Sequence, residues 1–199
     1  MSSIMLLPVL ETERLTIRPL VMSDLAPCHQ LYVEIRWGDS ALSVEANRER
    51  RRSWLEWTIR NYEELARLLQ PPYGDRAVTL KDSRRLIGLV GLVPLLAPFA
   101  QLRCFGNIER ARFTTEMGLF WAMFPAMQGQ GFATEAARAL IDYAFETLHV
   151  GRIMAGTEYD NLASIGVMRR LGMRIERNPF AEPAWFQITG ILENDHANS

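Results

Sequence analysis

This chain has almost no net charge, few cysteines and no long apolar run, and each shortage excludes a class of protein. Lysine and arginine number 22 against 23 aspartates and glutamates, a formal net charge of −1, so no global basic field argues for a nucleic-acid partner. Cys28 and Cys104 are the only cysteines. They lie far apart and match no metal-ligand spacing, and two free buried thiols in a reducing cytosol are expected rather than a disulfide. No apolar stretch approaches the ~20 residues of a membrane span. The opening MSSIMLLPVLETER lacks a positive n-region and a small-residue cleavage signal. Internal repeats and low-complexity tracts are missing too. His29 and His149 stand alone, without Ser/His/Asp spacing, and are read as core or surface histidines. A soluble cytoplasmic protein is expected.

What is present suits one domain, or one domain with a helical excursion: 199 residues, 48% hydrophobic and 23% charged. LETERLTIR alternates as a half-buried strand, and SDLAPCHQLYVEI starts a helix at Ser23 or Asp24. A longer helix is predicted from Ser43 to about Gln70. Its apolar positions Trp54, Leu55, Trp57, Thr58, Tyr62, Leu65, Ala66 and Leu69 keep helical spacing, and Pro71–Pro72 stop it. RAVTL and RLIGLVGLV read as two strands around KDSR, the second apolar on both faces and therefore central. Residues 94–106 read as an oddly apolar loop that lines a pocket, forms a homodimer surface or packs over its own sheet edge. Extended structure follows over 107–124, then a helix from Phe132 to about Leu148, a strand RIMAGTEY and a helix capped by Asn161. Two last strands, MRIER and AWFQITGIL, precede a frayed NDHANS.

The most informative stretch is QGQGFATEA, residues 128–136. A strand ending near Phe124, a loop bearing Gly129 and Gly131, and a helix starting near Phe132 make an anion site. The first helical N–H groups have no intrahelical acceptor, and the helix dipole adds partial positive charge there. Phe132 rules out the Gly-Lys-Ser/Thr phosphate loop, and Thr134 breaks the dinucleotide pattern G-x-G-x-x-G/A.

What fits is Q-x-x-G-x-A, from Gln128, Gly131 and Ala133, which resembles the coenzyme-A loop of the GNAT superfamily of acyl-CoA-dependent N-acetyltransferases. TERLTIRPLVMSD is similar to the opening of the branch that includes the ribosomal-protein N-terminal acetyltransferases. RLIGLVGL resembles its third strand, EMGLFW its fourth, GFATEAARALIDYAF its coenzyme-A helix and DNLASIGVMRRLGM its N-x-x-S signature. The matches fall in the family's order over about residues 10–192, so a single acyl-CoA N-acyltransferase domain over 1–199 is expected.

The resemblance implies an α/β (α+β) fold whose mixed, mostly antiparallel sheet of about seven strands is flanked by helices. That sheet would be splayed between strands 4 and 5. Pantetheine would pair with backbone at Leu119, Phe120, Trp121, Ala122 and Met123, and the pyrophosphate would lie on the amides of Gln128, Gly129, Gln130, Gly131, Phe132 and Ala133, with Thr134 adjoining. Acetyl-CoA is the implied co-substrate, with no metal, nucleic acid or membrane.

Amide formation needs a neutral amine, a stabilised oxyanion and a proton for the departing thiolate. Glu116, just before the coenzyme-facing segment, is the candidate base, against the plainer reading of a solvated strand glutamate. The tyrosine that many members carry seven residues beyond the Asn is replaced by Met168. In this branch Ser164 is the substitute acid, with Asn161 orienting pantetheine or a water; ordinary helix capping accounts for the same pair. Tyr159 is an alternative donor or a packing residue. RERRR at 48–52 reads as a solvated face partly balanced by Glu45, Glu49 and Glu56, or as a contact for an acidic group. Together these imply an N-acetyltransferase acting on a protein N-terminus or small amine by direct attack in a ternary complex. The alternative is an inactive coenzyme-A-binding module.

Overall fold

The computed structural model describes residues 8–194. In chain order the elements are β1 (Leu10–Glu11), β2 (Leu15–Pro19), α1 (Leu25–Glu34), α2 (Val44–Arg67), β3 (Gly74–Leu80) and β4 (Leu86–Ala97). They continue with β5 (Thr114–Met123), α3 (Phe132–Asp142), β6 (Arg152–Thr157), α4 (Leu162–Arg170), β7 (Arg174–Arg177) and β8 (Ile188–Glu193). The strands are hydrogen-bonded in the order β1-β2-β3-β4-β5-β6-β8-β7. β5 pairs with β6 in parallel, while β1–β2, β2–β3, β6–β8 and β7–β8 are antiparallel. This is the expected mixed sheet with helices, with eight strands instead of about seven. LETERLTIR splits because the Thr12 amide donates to the Leu15 carbonyl (3.0 Å) and the Thr12 hydroxyl accepts from the Leu15 amide (3.0 Å). That turn folds Leu10 back onto Ile17 as a short hairpin. The strands expected to part, fourth and fifth in the family's count, are β5 and β6 here.

The described chain forms two compact units, one running to Gly91 and taking in Trp121–Ala139, the other comprising 92–120 and the residues after 139. In the first unit, β4 is buried at every position from Leu86 to Gly91, as an apolar central strand should be. Ser43 caps α2 by accepting from the Ala46 amide (3.1 Å). Against its helical spacing, Trp57 is 64% exposed. The RERRR run is mixed. Arg50 pairs with Asp39 and Arg52 with Glu49 at the surface, but the Arg51 guanidinium turns inward onto the Tyr32 ring, 3.2 Å from its centroid. Asp75 is one of several ionisable groups in this unit that burial affects. Its carboxylate lies directly over Gly91, where a Cβ would sit 2.5 Å from Oδ1, so only glycine fits there. Burial, opposed by the Arg51 charge, pushes the Asp75 carboxyl up to about 6. The Tyr62 hydroxyl donates to the Asp75 carbonyl.

In the second unit, the apolar stretch 94–106 is not a bare loop. β4 extends to Ala97, and two short 3-10 turns follow at Phe99–Gln101 and Arg103–Phe105. Ala97, Phe99 and Leu102 are buried with Met154, Phe186 and Ile191. The Gln101 side chain ties the stretch down by donating to the Glu109 and Glu182 carbonyls (2.7 and 2.8 Å) and accepting from Asn178. After Asp142 the predicted long helix continues as a π-helical stretch, Tyr143–Thr147. Cys28 is buried in the first unit as expected; Cys104, on the second 3-10 turn, is exposed, and both are free thiols. Of the NDHANS tail, Asn194 is anchored, its amide donating to the Gly151 carbonyl (3.0 Å) and its side chain to the Val150 carbonyl (3.0 Å). Residues 195–199, and the first seven residues of the opening segment, lie outside the described residues. Among the described residues no helix is long and apolar enough to cross a membrane.

Candidate active site

The glycine-bearing loop belongs to the first unit and is built from the end of β5 upward. Phe124 closes the strand by donating to the Ile87 carbonyl (3.0 Å), and a 3-10 turn follows at Pro125–Met127. Two glutamine side chains brace the loop against this turn: Gln128 Nε2 donates to the Met123 carbonyl (3.1 Å) and Gln130 Nε2 to the Ala126 carbonyl (2.8 Å). Gly129 (φ 73°) and Gly131 (φ 83°) are both left-handed, a conformation costly for any residue with a Cβ. A Cβ at Gly129 would meet open space, whereas one at Gly131 would come within 3.4 Å of Arg14 Nη2.

The amides then divide sharply. Gln128 N donates to the Pro125 carbonyl (3.2 Å), so that amide is committed to the turn. From Gly129 through Gln130, Gly131 and Phe132 to Ala133, no backbone carbonyl among the described residues accepts from the main-chain N–H. In the helix's first turn, Glu135 N donates to Gly131 O (2.9 Å). Five consecutive donors therefore sit at the positive end of an 11-residue helix, where an anion is favoured. Thr134 lies in the first turn, and Phe132 is buried. Ala122 and Met123, at the end of β5 in this unit, are buried, and Trp121 is half-buried.

The second unit carries the groups expected to move protons. Leu119 is buried and Phe120 half-buried on its part of β5. The parallel register of β5 on β6 covers Met117↔Ile153 and Gly118↔Met154, while β6 runs on to Thr157 paired with β8. That register makes Glu116 and Arg152 neighbours, and Arg152 Nη1 donates to Glu116 Oε1 (2.8 Å). Arg152 Nε also donates to Glu193 (2.8 Å), and the guanidinium stacks on Phe105 (4.7 Å). Burial works against the Arg152 charge, but its bonds to Glu193 and Glu116 outweigh this and raise its pKa. Two carboxylates against one guanidinium leave one unit of negative charge at this edge.

Asn161 caps α4, its side chain accepting from the Ser164 amide (3.1 Å), and Ser164 is half-buried in the first turn. The Tyr159 hydroxyl donates to the Asn178 carbonyl (3.1 Å), and its ring lies under Arg177 (4.3 Å). Met168 is fully buried against Gly190, where a Cβ would come within 3.1 Å of its sulfur; the side chain belongs to the core. Sequence reasoning missed Arg14, Glu135 and Arg152, whose roles depend on partners far along the chain. Among the described residues no group of three or more His, Cys, Asp or Glu is placed to hold a metal ion.

The family model described as "Acetyltransferase (GNAT) domain" matches residues 14–174. The chain belongs to the GNAT acetyltransferase family. This acetyltransferase is 31% identical over 163 residues to the probable N-acetyltransferase YjcK of Bacillus subtilis strain 168, covering 79% of this chain and 77% of that protein. It is 27% identical over 181 residues to the spermidine N(1)-acetyltransferase of Escherichia coli K12, covering 89% of this chain and 81% of that protein. To the uncharacterized N-acetyltransferase YnaD of Bacillus subtilis strain 168 it is 40% identical over 63 residues, spanning only 32% of this chain and 36% of that protein. An acetyltransferase structure from Agrobacterium tumefaciens C58 shares the fold at TM-score 0.67 and 24% identity, covering 94% of this chain and 95% of that one. A ribosomal L7/L12 alpha-N-protein acetyltransferase solved in complex with coenzyme A shares it at TM-score 0.58 and 14% identity, covering 92% of this chain and 96% of that one.

Proposed function

We propose that this acetyltransferase moves an acetyl group from acetyl-CoA to a primary amine, a protein N-terminus or a small amine, by direct attack in a ternary complex. The observation that carries this reading is the run of amides from Gly129 to Ala133 that lack a backbone acceptor among the described residues, on a loop with two left-handed glycines. Such a loop suits a diphosphate, because it offers donors without side chains in the way. The names of the spermidine and L7/L12 relatives, one acting on a polyamine and one on a protein N-terminus, support an amine acceptor. One family model runs through residues of both units, which supports reading 1–199 as a single acyltransferase domain.

Acetyl-CoA supplies the activated thioester; the chain's residues hold it and move protons. The amides of Gly129–Ala133 take the diphosphate, and backbone of Leu119–Met123 takes the pantetheine amides. A strand N–H also meets the oxyanion as the amine attacks the thioester carbonyl. Glu116 receives the ammonium proton through a water. Its bond to Arg152 fixes the carboxylate in place and lends it to orienting that water. Ser164 gives its hydroxyl proton to the departing sulfur as it takes the second proton from the acylated nitrogen, and Asn161 holds the turn that presents Ser164.

The test is a steady-state thiol-release assay with acetyl-CoA and a panel of N-terminal peptides, polyamines and small amines. Amine-dependent thiol release with a matching acetylated product is the expected result. Coenzyme binding without turnover on every amine would contradict the reading.

A further inference from the structure

We infer that Arg14 is a positioning residue for the anion-binding loop: by holding the Gln130 carbonyl it fixes the direction in which the Gly131 amide donates. The inference rests on the coenzyme-binding reading above. It concerns the first unit only and stands on a set of contacts that the proposed reaction does not use.

Arg14 sits at the turn between β1 and β2, and its guanidinium is held from three sides. Nε donates to Glu135 Oε2 (2.7 Å), the face lies over the Phe132 ring (4.3 Å), and Nη1 donates to the Gln130 carbonyl (3.1 Å). Glu135, in the first turn of α3, is itself saturated. Its Oε1 accepts from the Thr12 hydroxyl (2.6 Å) and from the Arg14 main-chain amide (3.0 Å). Burial alone would raise the Glu135 carboxyl, but these bonds from Thr12 and Arg14 lower it. The result is a bracket linking a β-turn to the first turn of the helix, with one guanidinium nitrogen left to reach the loop.

The consequence follows from peptide geometry. In a trans peptide the C=O and N–H of one unit point in opposite directions. Anchoring Gln130 O on Arg14 therefore aims the Gly131 N–H away from Arg14. Turning this peptide over changes ψ of Gln130 and φ of Gly131, and the glycine at 131 leaves that φ unusually free. A flipped peptide would place a carbonyl oxygen where the N–H had been and repel an anion. Because Glu135 offsets the Arg14 charge, the contribution to binding comes from amide direction more than from a free cation.

The alternative is that Arg14 touches a coenzyme phosphate itself, and Glu135→Gln separates the two roles. If Arg14 acts through the bracket, weakening its anchor loosens the loop. If it binds phosphate directly, releasing it from Glu135 tightens binding. The experiment measures coenzyme-A affinity by calorimetry, with KM for acetyl-CoA and kcat, for the full chain and for Arg14→Gln, Arg14→Lys and Glu135→Gln. Arg14→Gln is expected to raise both Kd and KM about tenfold, the scale of a lost charge-assisted hydrogen bond, with kcat at saturation within about twofold. Glu135→Gln shifts Kd the same way by a smaller factor, and Arg14→Lys recovers only part, because a lysine cannot span the fork. The N–H signals of Gly129, Gln130 and Gly131 are expected to shift or broaden in the ligand-free Arg14→Gln and Glu135→Gln variants, with the signals of the remaining chain showing that each variant is folded. Variants within twofold of wild type, or Glu135→Gln binding more tightly, would overturn the inference and leave the coenzyme reading standing. A wild-type chain that does not bind coenzyme A would overturn the reading and this inference with it.

Discussion

Replacing Asp75 with asparagine should make the protein more stable at pH 7 and leave it nearly unchanged near pH 4. The Asp75 carboxyl is raised from 3.8 to about 6 because burial against Gly91 costs its charged form more than Arg51 returns. For an acid with a raised folded pKa, the native state binds the extra proton. The stabilisation from protonated Asp75 is therefore full below about pH 4, falls as pH rises towards 6, and is gone above it. Two units at ~1.4 kcal/mol each put the neutral-pH penalty at about 3 kcal/mol. For a chain of 199 residues that is on the order of 6–12 °C in Tm. The assay is thermal unfolding of wild type and Asp75→Asn from pH 4 to 8, read as the difference in Tm so that other titrating groups cancel. The difference should grow from near zero at pH 4 to a plateau above pH 6, favouring the variant. A difference that is flat with pH, or a variant less stable at pH 7, would refute the reasoning.

Gly129→Ala should cost about 1–2 kcal/mol of stability through its left-handed φ alone. Gly131→Ala adds crowding against Arg14 and should weaken coenzyme-A binding more; calorimetry and chemical denaturation of the pair check the order. Asn161→Ala should lose about 1 kcal/mol by uncapping α4, while Asn161→Ser keeps the cap. A kcat loss that persists in the serine variant at wild-type stability would mark a role for Asn161 in the reaction beyond capping. A thiol reagent should modify Cys104 alone in the folded protein. Cys28, buried and with its thiol pushed up to about 12, should react only after unfolding, as mass mapping of the modified cysteines would show.

How much of this could be read from the sequence varies by element. The double-sided apolarity of RLIGLVGLV announced a buried central strand, and the glycine spacing announced a loop shaped by backbone need. Both are local signals, and local signals carry periodicity and φ requirements well. Asn161 likewise lies where its capping chemistry works, with or without a catalytic task. The misread parts depend on distant partners. Arg14 and Glu135 are 121 residues apart, and Glu116 and Arg152 are 36 apart, so nothing but strand register and helix docking reveals them. Residues 94–106 were apolar without a period, and that pattern does not say whether Phe99 and Leu102 cover their own core or face outward; they cover it. Trp57 fails in the opposite sense, placed by its spacing on a buried face yet exposed to solvent.

The most direct test of the central claim is an amide-resolved NMR titration of the full chain with coenzyme A. If the diphosphate takes the donors at the start of α3, the N–H signals of Gly129, Gln130, Gly131, Phe132 and Ala133 should shift most and move together with one affinity. Gln128, whose amide already donates to Pro125, should shift less. Binding that leaves these five amides unmoved, or no binding at all, would contradict the account.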